Sequence, residues 1–325
     1  MKLAETLRLE PLDGDLARVE ARLDETVRHH DRLLGDVASH LAGAGGKRIR
    51  PTLALCASYA ATDGNGPAAP EAVTGAVAVE LVHLGSLYHD DVIDEAETRR
   101  GVPSVNARWS NIVAILAGDF LLARASSLAA SLGADVAGLL ADTIGELCRG
   151  QVLELQHLFD VERSEEGYAS AIEGKTASLF AASCRIGGMV SGVAEPDLDA
   201  LTRYGRHVGM CFQVVDDVLD ITATDDVLGK PSGQDLVEGV YTLPVIYALA
   251  GSDALRTLLA HPLDADRLAE ARQLATTNGA VEAALGVARD HAAKASDALA
   301  GAEGLDGDVC EALARLVGGL VERDR

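Results

Sequence analysis

Apolar residues recur at three- and four-residue steps along most of the chain, which is the period of an α-helix. The pattern predicts helices over residues 15–43, 71–95, 107–131, 134–160, 165–192, 197–222, 235–250, 264–279, 280–300 and 307–322. Pro51 suits the first turn of a further helix, where an amide hydrogen is not needed. No segment alternates apolar and polar residues as a half-buried strand does. Because no repeat, linker or shift in composition divides the chain, we expect residues 1–325 to form a single all-α domain built of long helices.

Composition supports closely packed helices and restricts the partners. Of the 325 residues 48% are hydrophobic but only 3% are aromatic, so the core must consist of Ala, Leu and Val. The net charge of −22 disfavours nucleic acid and anionic membrane surfaces as ligands. An anionic small molecule would need a local basic site or bridging metal ions. Since residues 1–15 are charged throughout and no uncharged apolar stretch reaches about 18 residues, we expect a cytoplasmic protein without a membrane span.

Two five-residue segments, 90–94 and 216–220, share the pattern Asp-Asp-x-x-Asp at the ends of apolar helical stretches. Positions i and i+4 lie one turn apart on a helix, so each segment places two carboxylates side by side with a third adjacent. The six acids are Asp90, Asp91, Asp94, Asp216, Asp217 and Asp220. Such neighbours repel each other by about 0.2–0.5 kcal/mol per pair, so a cation should offset them. Oxygen ligands without His or Cys favour Mg²⁺, which commonly bridges carboxylates and a substrate phosphate.

Basic residues accompany the acid motifs at glycine turns, where Arg and Lys are the usual partners of phosphate. They are Lys47 and Arg50 after Gly46, Arg99 and Arg100 before Gly101, Lys175 after Gly174, and Lys230 after Gly229. His83 lies two helical turns before Asp90 and therefore on the same face, which favours a phosphate contact over a core role. The Gly-Lys-Thr at 174–176 does not form a P-loop, because that motif requires glycine where Ala169 stands.

These residues together resemble the all-trans polyprenyl (isoprenyl) diphosphate synthases. Seven segments in the order of that family carry the resemblance: 45–51, 87–94, 99–101, 117–121, 174–177, 212–220 and 228–236. The resemblance implies an all-helical fold with a central cavity, usually as a homodimer, and condensation of isopentenyl diphosphate with an allylic diphosphate. It also implies that several Mg²⁺ ions bound by Asp90, Asp94, Asp216 and Asp220 bridge the allylic diphosphate.

The resemblance further assigns the basic and polar residues to the two substrates. Those expected to contact the allylic diphosphate are Arg99, Lys175, Thr176, Gln213 and Lys230, and those expected to hold isopentenyl diphosphate are Lys47, Arg50, His83 and Arg100. Cations aimed at a leaving diphosphate stabilise charge as it develops, usually the largest catalytic effect. No side chain is an obvious base, so the resemblance implies that the released diphosphate removes the proton.

The residues just before Asp90 bear on product length. Short-chain members of the family commonly have a bulky aromatic residue there, whereas this chain has Gly85 and Ser86, followed on the same side by Val82. We therefore expect a medium- or long-chain product, and we expect that Gly85→Phe or Ser86→Phe shortens it. The alternative is that these small residues only permit close packing of helices, in which case the product would be a geranylgeranyl or farnesyl diphosphate.

Other functions explain the motifs less well. Terpene cyclases share the first acid motif, but their second metal motif is typically of an Asn/Ser/Glu type, unlike residues 216–220. Head-to-head synthases of the squalene type usually have differently spaced acids. A non-catalytic helical subunit would leave the basic residues unexplained.

Overall fold

A computed structural model describes residues 3–62, 64, 66–223 and 232–322, and its Cα positions group the chain into two compact units. Unit 1 comprises Met1–Ile144, Leu179–Gly205 and Asp297–Leu316, and unit 2 comprises Gly145–Ser178, Arg206–Ser296 and Val317–Arg325. The chain passes from one unit to the other several times. The expectation that residues 1–325 form one domain therefore stays a prediction.

Unit 1 contains the N-terminal helices and a short hairpin. They are α1 (Leu3–Leu7), α2 (Leu12–Val27), α3 (Arg32–Ala42), α4 (Ile49–Ala60), α5 (Pro70–Ile93), β1 (Thr98–Arg99), β2 (Val102–Pro103), α6 (Val105–Arg108) and α7 (Asn111–Ser131). Pro51 lies in the first turn of α4, as expected. The single helix expected over residues 15–43 is wrong. It is interrupted between α2 and α3, where the Asp31 side chain caps α3 by accepting a hydrogen bond from the Leu34 amide.

The core of unit 1 is built around α5. This helix begins with Pro70 in its first turn and is buried on nearly every side. It packs against α7, α4 and α2. A Cβ atom added to Gly118 of α7 would lie 3.1 Å from the Gly85 carbonyl oxygen of α5, so the two helices approach each other closely where they cross. The close approach fixes the end of α5 that carries the first acid motif.

Several long helices contribute residues to both units: α8 (Ala134–Gln156), α11 (Glu195–Thr222), α16 (Ala280–Ala300) and α17 (Gly307–Val321). The remaining elements are α9 (Glu165–Ile172), a π-helical turn (Glu173–Ala177), α10 (Ser178–Met189), α12 (Gln234–Glu238), α13 (Leu243–Leu249), α14 (Asp253–Leu259) and α15 (Ala265–Ala275). The core of unit 2 includes Leu236, Tyr241, Val245, Leu255 and Ala271.

Two further expected helices are interrupted. The segment 165–192 contains the π-helical turn, which a pattern of apolar residues does not reveal. The segment 235–250 is divided after α12 by Gly239, whose φ of 78° ends the helix, and Pro244 begins the next one. The all-α class is confirmed, because the only strands within the described residues are the two that pair antiparallel in the hairpin.

In the described part of the chain, α7 is the one helix whose length and apolar composition would suit a membrane crossing, and 33% of its most apolar stretch is buried. Length and apolar composition alone are weak evidence for a membrane crossing, because core helices of soluble proteins share them.

Candidate active site

The first acid motif lies at the end of α5. Asp94 is the C-cap of this helix, and its amide donates to the Asp90 carbonyl at 2.8 Å. Asp90 and Asp94 are partly exposed one turn apart, whereas Asp91 is fully buried. The expected placement of two neighbouring carboxylates at the end of a buried helix is therefore found in unit 1.

Asp91 is held by a cation of the protein itself. Arg99, on β1, donates through Nε to Asp91 Oδ1 at 2.7 Å, while Asp91 Oδ2 is buried and has no hydrogen-bond partner within the described residues. Burial raises the pKa of Asp91, and the adjacent Arg99 guanidinium opposes that rise. Sequence analysis assigned Asp91 to a metal and Arg99 to a diphosphate. The structure pairs them with each other.

Three of the residues expected to hold isopentenyl diphosphate lie together in unit 1. Arg100 Nη2 is 3.5 Å from His83 Nε2, and the Arg50 guanidinium lies 4.7 Å above the ring of Phe180. Burial, with the neighbouring Arg100, lowers the pKa of Arg50 to about 10. Burial and the surrounding arginines also lower the pKa of His83 well below its usual value, so His83 is neutral at pH 7. The fourth residue, Lys47, is exposed in the loop before α4.

Sequence analysis did not identify two further charged residues at this cluster, Arg48 and Glu80. Arg48 is buried and donates through Nη1 to Glu80 Oε1 at 2.7 Å. Glu80 is an acid in the middle of the apolar helix α5, with no other acid from Ala72 to Tyr88. An acid isolated in an apolar helix was the feature of the sequence that could have identified Glu80.

The residues proposed to control product length lie on the part of α5 before Asp90. Val82 is fully buried, and Ser86 Oγ donates to the His83 carbonyl at 2.9 Å. A Cβ added to Gly85 would lie 3.1 Å from the Gly118 carbonyl oxygen and 3.2 Å from the Leu122 side chain, which is a tight contact. Gly85 thus contributes to the packing of α5 on α7. A role of these residues in product length stays a prediction.

The second acid motif lies near the end of α11, in unit 2. Asp216 is exposed, and Asp217 and Asp220 are buried. Asp217 accepts hydrogen bonds from neutral groups, the Tyr168 hydroxyl at 2.5 Å and the Gln213 amide at 2.8 Å. Burial raises the pKa of Asp217 to about 7, although both hydrogen bonds act against the rise. Sequence analysis assigned Asp217 to a metal, but it did not identify its partner Tyr168, 49 residues away.

The π-helical turn positions Lys175 and Thr176. It crosses α8 at two glycines, since a Cβ on Gly150 would lie 2.1 Å from the Lys175 backbone nitrogen and a Cβ on Gly174 would lie 2.7 Å from the Glu146 carbonyl oxygen. π-Helical turns of this kind often mark functional sites.

Hydrogen bonds connect the π-helical turn to the second acid motif. Thr176 Oγ1 donates to Gln213 Oε1 at 2.8 Å, and Gln213 donates in turn to Asp217. Lys175 forms an ion pair with Glu154 on α8. Unit 2 therefore brings together Lys175, Thr176, Gln213 and the second acid motif, as the sequence suggested. Of the other two residues expected to contact the allylic diphosphate, Arg99 belongs to unit 1 and Lys230 lies outside the described residues.

The oxygen donors of the two acid motifs suit a hard divalent cation. Within the described ranges, no three Asp, Glu, His or Cys side chains are already arranged to hold a metal ion. Mg²⁺ typically keeps several waters and binds through one or two carboxylates plus substrate phosphates. The carboxylate pairs Asp90 with Asp94 and Asp216 with Asp220 fit that requirement.

The model of the polyprenyl synthetase family matches residues 31–276. The chain belongs to this family. It is 43% identical over 290 residues to nonaprenyl diphosphate synthase of Mycobacterium tuberculosis, covering 88% of this chain and 86% of that protein. It is 44% identical over 241 residues to heptaprenyl diphosphate synthase component 2 of Geobacillus stearothermophilus, covering 74% of each chain.

The fold agrees with solved structures of related enzymes. A polyprenyl synthase from Caulobacter crescentus, complexed with calcium and isoprenyl diphosphate, superposes with a TM-score of 0.92 at 32% identity, covering 99% of this chain and 98% of that one. The chain thus has the all-α isoprenoid synthase fold. As a member of the polyprenyl synthetase family, it is a prenyltransferase.

Proposed function

We propose that the protein condenses isopentenyl diphosphate with an allylic diphosphate to give a medium- or long-chain all-trans polyprenyl diphosphate. The observation that carries this proposal is that each acid motif has, within its own unit, a group of basic and polar side chains of the kind that bind phosphate: Arg50, His83 and Arg100 in unit 1, and Lys175, Thr176 and Gln213 in unit 2. The medium and long products named for the relatives support the product class.

The residues of unit 1 bind isopentenyl diphosphate in this proposal. Arg50 and Arg100 supply positive charge in partly buried surroundings, where an ion pair is stronger than in water. His83 is neutral, so it contributes a hydrogen bond rather than charge. Together they hold the diphosphate so that the alkene keeps a fixed orientation, and such orientation can supply a large part of a rate enhancement.

The residues of unit 2 act on the allylic diphosphate. The C–O bond of that substrate breaks, and the bonding electrons leave with the diphosphate. The Lys175 ammonium stabilises the growing negative charge, while Thr176 and Gln213 orient the group through hydrogen bonds. Glu154 holds Lys175 by an ion pair. The alkene carbon then bonds to the allylic carbon, which leaves a tertiary carbocation. The released diphosphate removes a proton from this cation, and the C–H electrons form the new double bond of the product.

Asp90 and Asp94 in unit 1, and Asp216 and Asp220 in unit 2, would hold magnesium ions in this proposal. When bound, these ions neutralise the charge that develops on a leaving diphosphate. Asp91 and Asp217 are not among these magnesium ligands, because their carboxylates are bonded to other side chains. Arg99 binds Asp91, and Tyr168 and Gln213 bind Asp217.

We also propose that the enzyme is a cytoplasmic homodimer that pairs through α7. The exposed face of this helix has bulky residues at one end, with Ile112 71% and Leu116 60% exposed, and small exposed residues at the other, Ser126 and Ala130. Antiparallel pairing with a second copy would set bulky residues against small ones about a two-fold axis, which is the self-complementarity that a symmetric dimer needs. Because one relative is named component 2, a second type of subunit is the competing partner.

The test is incubation of the purified chain with labelled isopentenyl diphosphate, an allylic primer and Mg²⁺, followed by chromatography of the products. We expect all-trans diphosphates longer than four isoprene units. Asp90→Asn and Asp216→Asn should each lower kcat about 10²–10³-fold. The exposed Asp142→Asn should leave kcat unchanged. Light scattering should give twice the chain mass, and Leu116→Glu should reduce it.

Three results would contradict these proposals. A cyclic hydrocarbon product would indicate a terpene cyclase. Products of only three or four isoprene units would indicate a short-chain synthase. Activity that requires a different added subunit would exclude the homodimer as the active form.

A further inference from the structure

Glu80 is a carboxylate buried in an apolar helix and faced by guanidinium groups. It is 2% exposed, and its Oε1 lies 2.7 Å from Arg48 Nη1 and 4.0 Å from Arg100 Nη2. A buried charge is strongly unfavourable unless it is paired, so this carboxylate and its arginines depend on one another.

Arg48 directs its guanidinium to protein groups rather than to solvent. Besides Glu80, it donates to Glu20 through Nε at 2.5 Å and to the Ala42 carbonyl through Nη2 at 2.8 Å. The bond to Glu80 attaches the loop between α3 and α4, which carries Lys47, to α5, and the bonds to Glu20 and Ala42 attach it to α2 and α3. Arg48 thus serves as an anchor for the loop.

Both arginines that face Glu80 have left-handed backbone conformations. The φ angle is 47° at Arg48, the N-cap of α4, and 53° at Arg100, in the turn between β1 and β2. Residues other than glycine adopt this region at an energetic cost, and such residues cluster at functional sites. The side-chain contacts of Arg48 and Arg100 help to hold these conformations.

The arginines near Glu80 repel each other. Burial is the main cause of the lowered pKa values of Arg50 and Arg100, and Glu80 opposes it in both. The charge of Arg100 lowers the pKa of Arg50 further, and that of Arg48 lowers the pKa of Arg100 further. Arg50 Nε is also buried without a hydrogen-bond partner within the described residues. Glu20 pairs with Arg48 alone, whereas the buried Glu80 interacts with all three arginines. The two carboxylates offset the repulsion among three cations and leave a net positive charge for an anion.

We propose that Glu80 is a positioning residue for isopentenyl diphosphate, which acts through Arg48 and Arg100 and does not touch the substrate. It keeps the arginine cluster assembled before the substrate arrives, so binding needs no rearrangement of like charges. This inference rests on the proposed function, because it takes the cluster to be the isopentenyl diphosphate site.

The experiment compares Glu80→Gln, which removes the charge and keeps the shape, with Glu71→Gln, an exposed site in the first turn of the same helix. We expect Glu80→Gln to raise the KM for isopentenyl diphosphate about tenfold, a change typical of losing one partner of a charged pair. The KM for the allylic substrate and kcat at saturation should change less than about threefold. Glu71→Gln should match the wild type.

Binding without catalysis gives a second readout. Calorimetry with isopentenyl diphosphate alone, without Mg²⁺ or primer, should show about tenfold weaker binding to Glu80→Gln. If that variant does not fold, the double variant Arg48→Gln/Glu80→Gln replaces the ion pair with two amides, and it should show the same weak binding. Wild-type affinity in whichever variant folds would overturn the proposal. An equal change in kcat and both KM values would also overturn it, because that pattern indicates a purely structural role.

Failure of the proposed function would look different. In that case the wild-type chain forms no elongated product. Calorimetry with inorganic pyrophosphate then still compares the arginine cluster of the wild type with that of Glu80→Gln. Weaker pyrophosphate binding to Glu80→Gln would retain the positioning role of Glu80, and equal binding, or none to the wild type, would reject it.

Discussion

The two units hold their candidate site residues by different physical means. In unit 1 ion pairs do so: Arg99 binds Asp91, and Arg48 binds Glu80. In unit 2 the main means are close backbone contact at Gly150 and hydrogen bonds from neutral groups to Asp217. The same Asp-Asp-x-x-Asp sequence is thus embedded in two different environments.

This difference implies that the units respond to different perturbations. Unit 1 should be sensitive to the removal of charge, because each lost partner leaves another charge buried. Unit 2 should be sensitive to added volume, because its backbone segments already touch. The predictions below test this distinction, beginning with the largest expected effect.

Adding one methyl group where α8 crosses the π-helical turn should disrupt unit 2. In Gly150→Ala the new Cβ would overlap the Lys175 backbone, so we expect a loss of about 2–3 kcal/mol in the free energy of unfolding. The matched variant is Gly145→Ala on the same helix, where a Cβ meets nothing within 4 Å. It should gain about 0.5–1 kcal/mol through helix propensity. Urea denaturation measures both, and equal effects would refute the volume sensitivity of unit 2.

Removing the charge of the second aspartate of each acid motif should lower the free energy of unfolding more in unit 1 than in unit 2. Asp91→Asn leaves the partly exposed Arg99 without its carboxylate, which should cost about 1–3 kcal/mol. Asp217→Asn should cost less than about 1 kcal/mol, because its partners are neutral and its burial disfavours the charge. Chemical denaturation of the two variants at pH 7 makes the comparison. A larger loss for Asp217→Asn would reverse the distinction between the units.

Product length tests volume sensitivity on the α5 helix of unit 1. Ser86→Phe is a clearer test than Gly85→Phe, because Gly85 already packs against Gly118 and a large side chain there would also disturb the fold. We expect Ser86→Phe to shorten the product by at least one isoprene unit, while Ser86→Thr leaves it unchanged. Chromatography of the extracted products measures the length. An unchanged product from folded Ser86→Phe would remove Ser86 from the control of length.

Unit 2 also contains a pair of histidines, His207 and His291, whose effect on the free energy of unfolding should depend on charge rather than on volume. His207 Nδ1 and His291 Nδ1 are 3.0 Å apart, and burial, with the neighbouring His207 and Lys294, lowers the pKa of His291 to about 4, opposed by Asp290 and Glu173. Between pH 6.5 and 4 the unfolded chain therefore binds more protons than the folded chain, so stability falls as the pH falls through this window.

Allowing for partial exposure, we expect the wild type to lose about 1 kcal/mol relative to His291→Gln between pH 7 and pH 4.5. Thermal unfolding across this range measures the difference. Parallel curves for the two proteins would show that His291 is not held neutral by its surroundings.

The sequence predicted the features that depend on local patterns. The apolar periodicity located α5, α7, α8 and α11, and the acid spacing placed both motifs near helix ends. It did not predict the hairpin, because two residues per strand are too few to show alternation. The break between α2 and α3 was missed although Asp31 is a readable capping residue.

The partners of the site residues were harder to predict, since they are distant in sequence. Tyr168 reaches Asp217, Glu154 reaches Lys175, and Arg48 reaches Glu80 only because the fold brings separate helices together. The π-helical turn was hidden for another reason, because one extra residue in a turn barely alters the apolar pattern. Sequence motifs thus indicated which residues carry the chemistry, and the structure was needed to show what holds them.

The left-handed conformation of Arg48 and Arg100 places two requirements in conflict at the same positions. Glycine or asparagine would suit the backbone better at both positions. Each replacement would also delete a guanidinium group beside Glu80. Because a replacement at position 48 would leave Glu80 buried without its closest partner, screens for heat resistance in this enzyme should retain Arg48 in spite of its left-handed backbone.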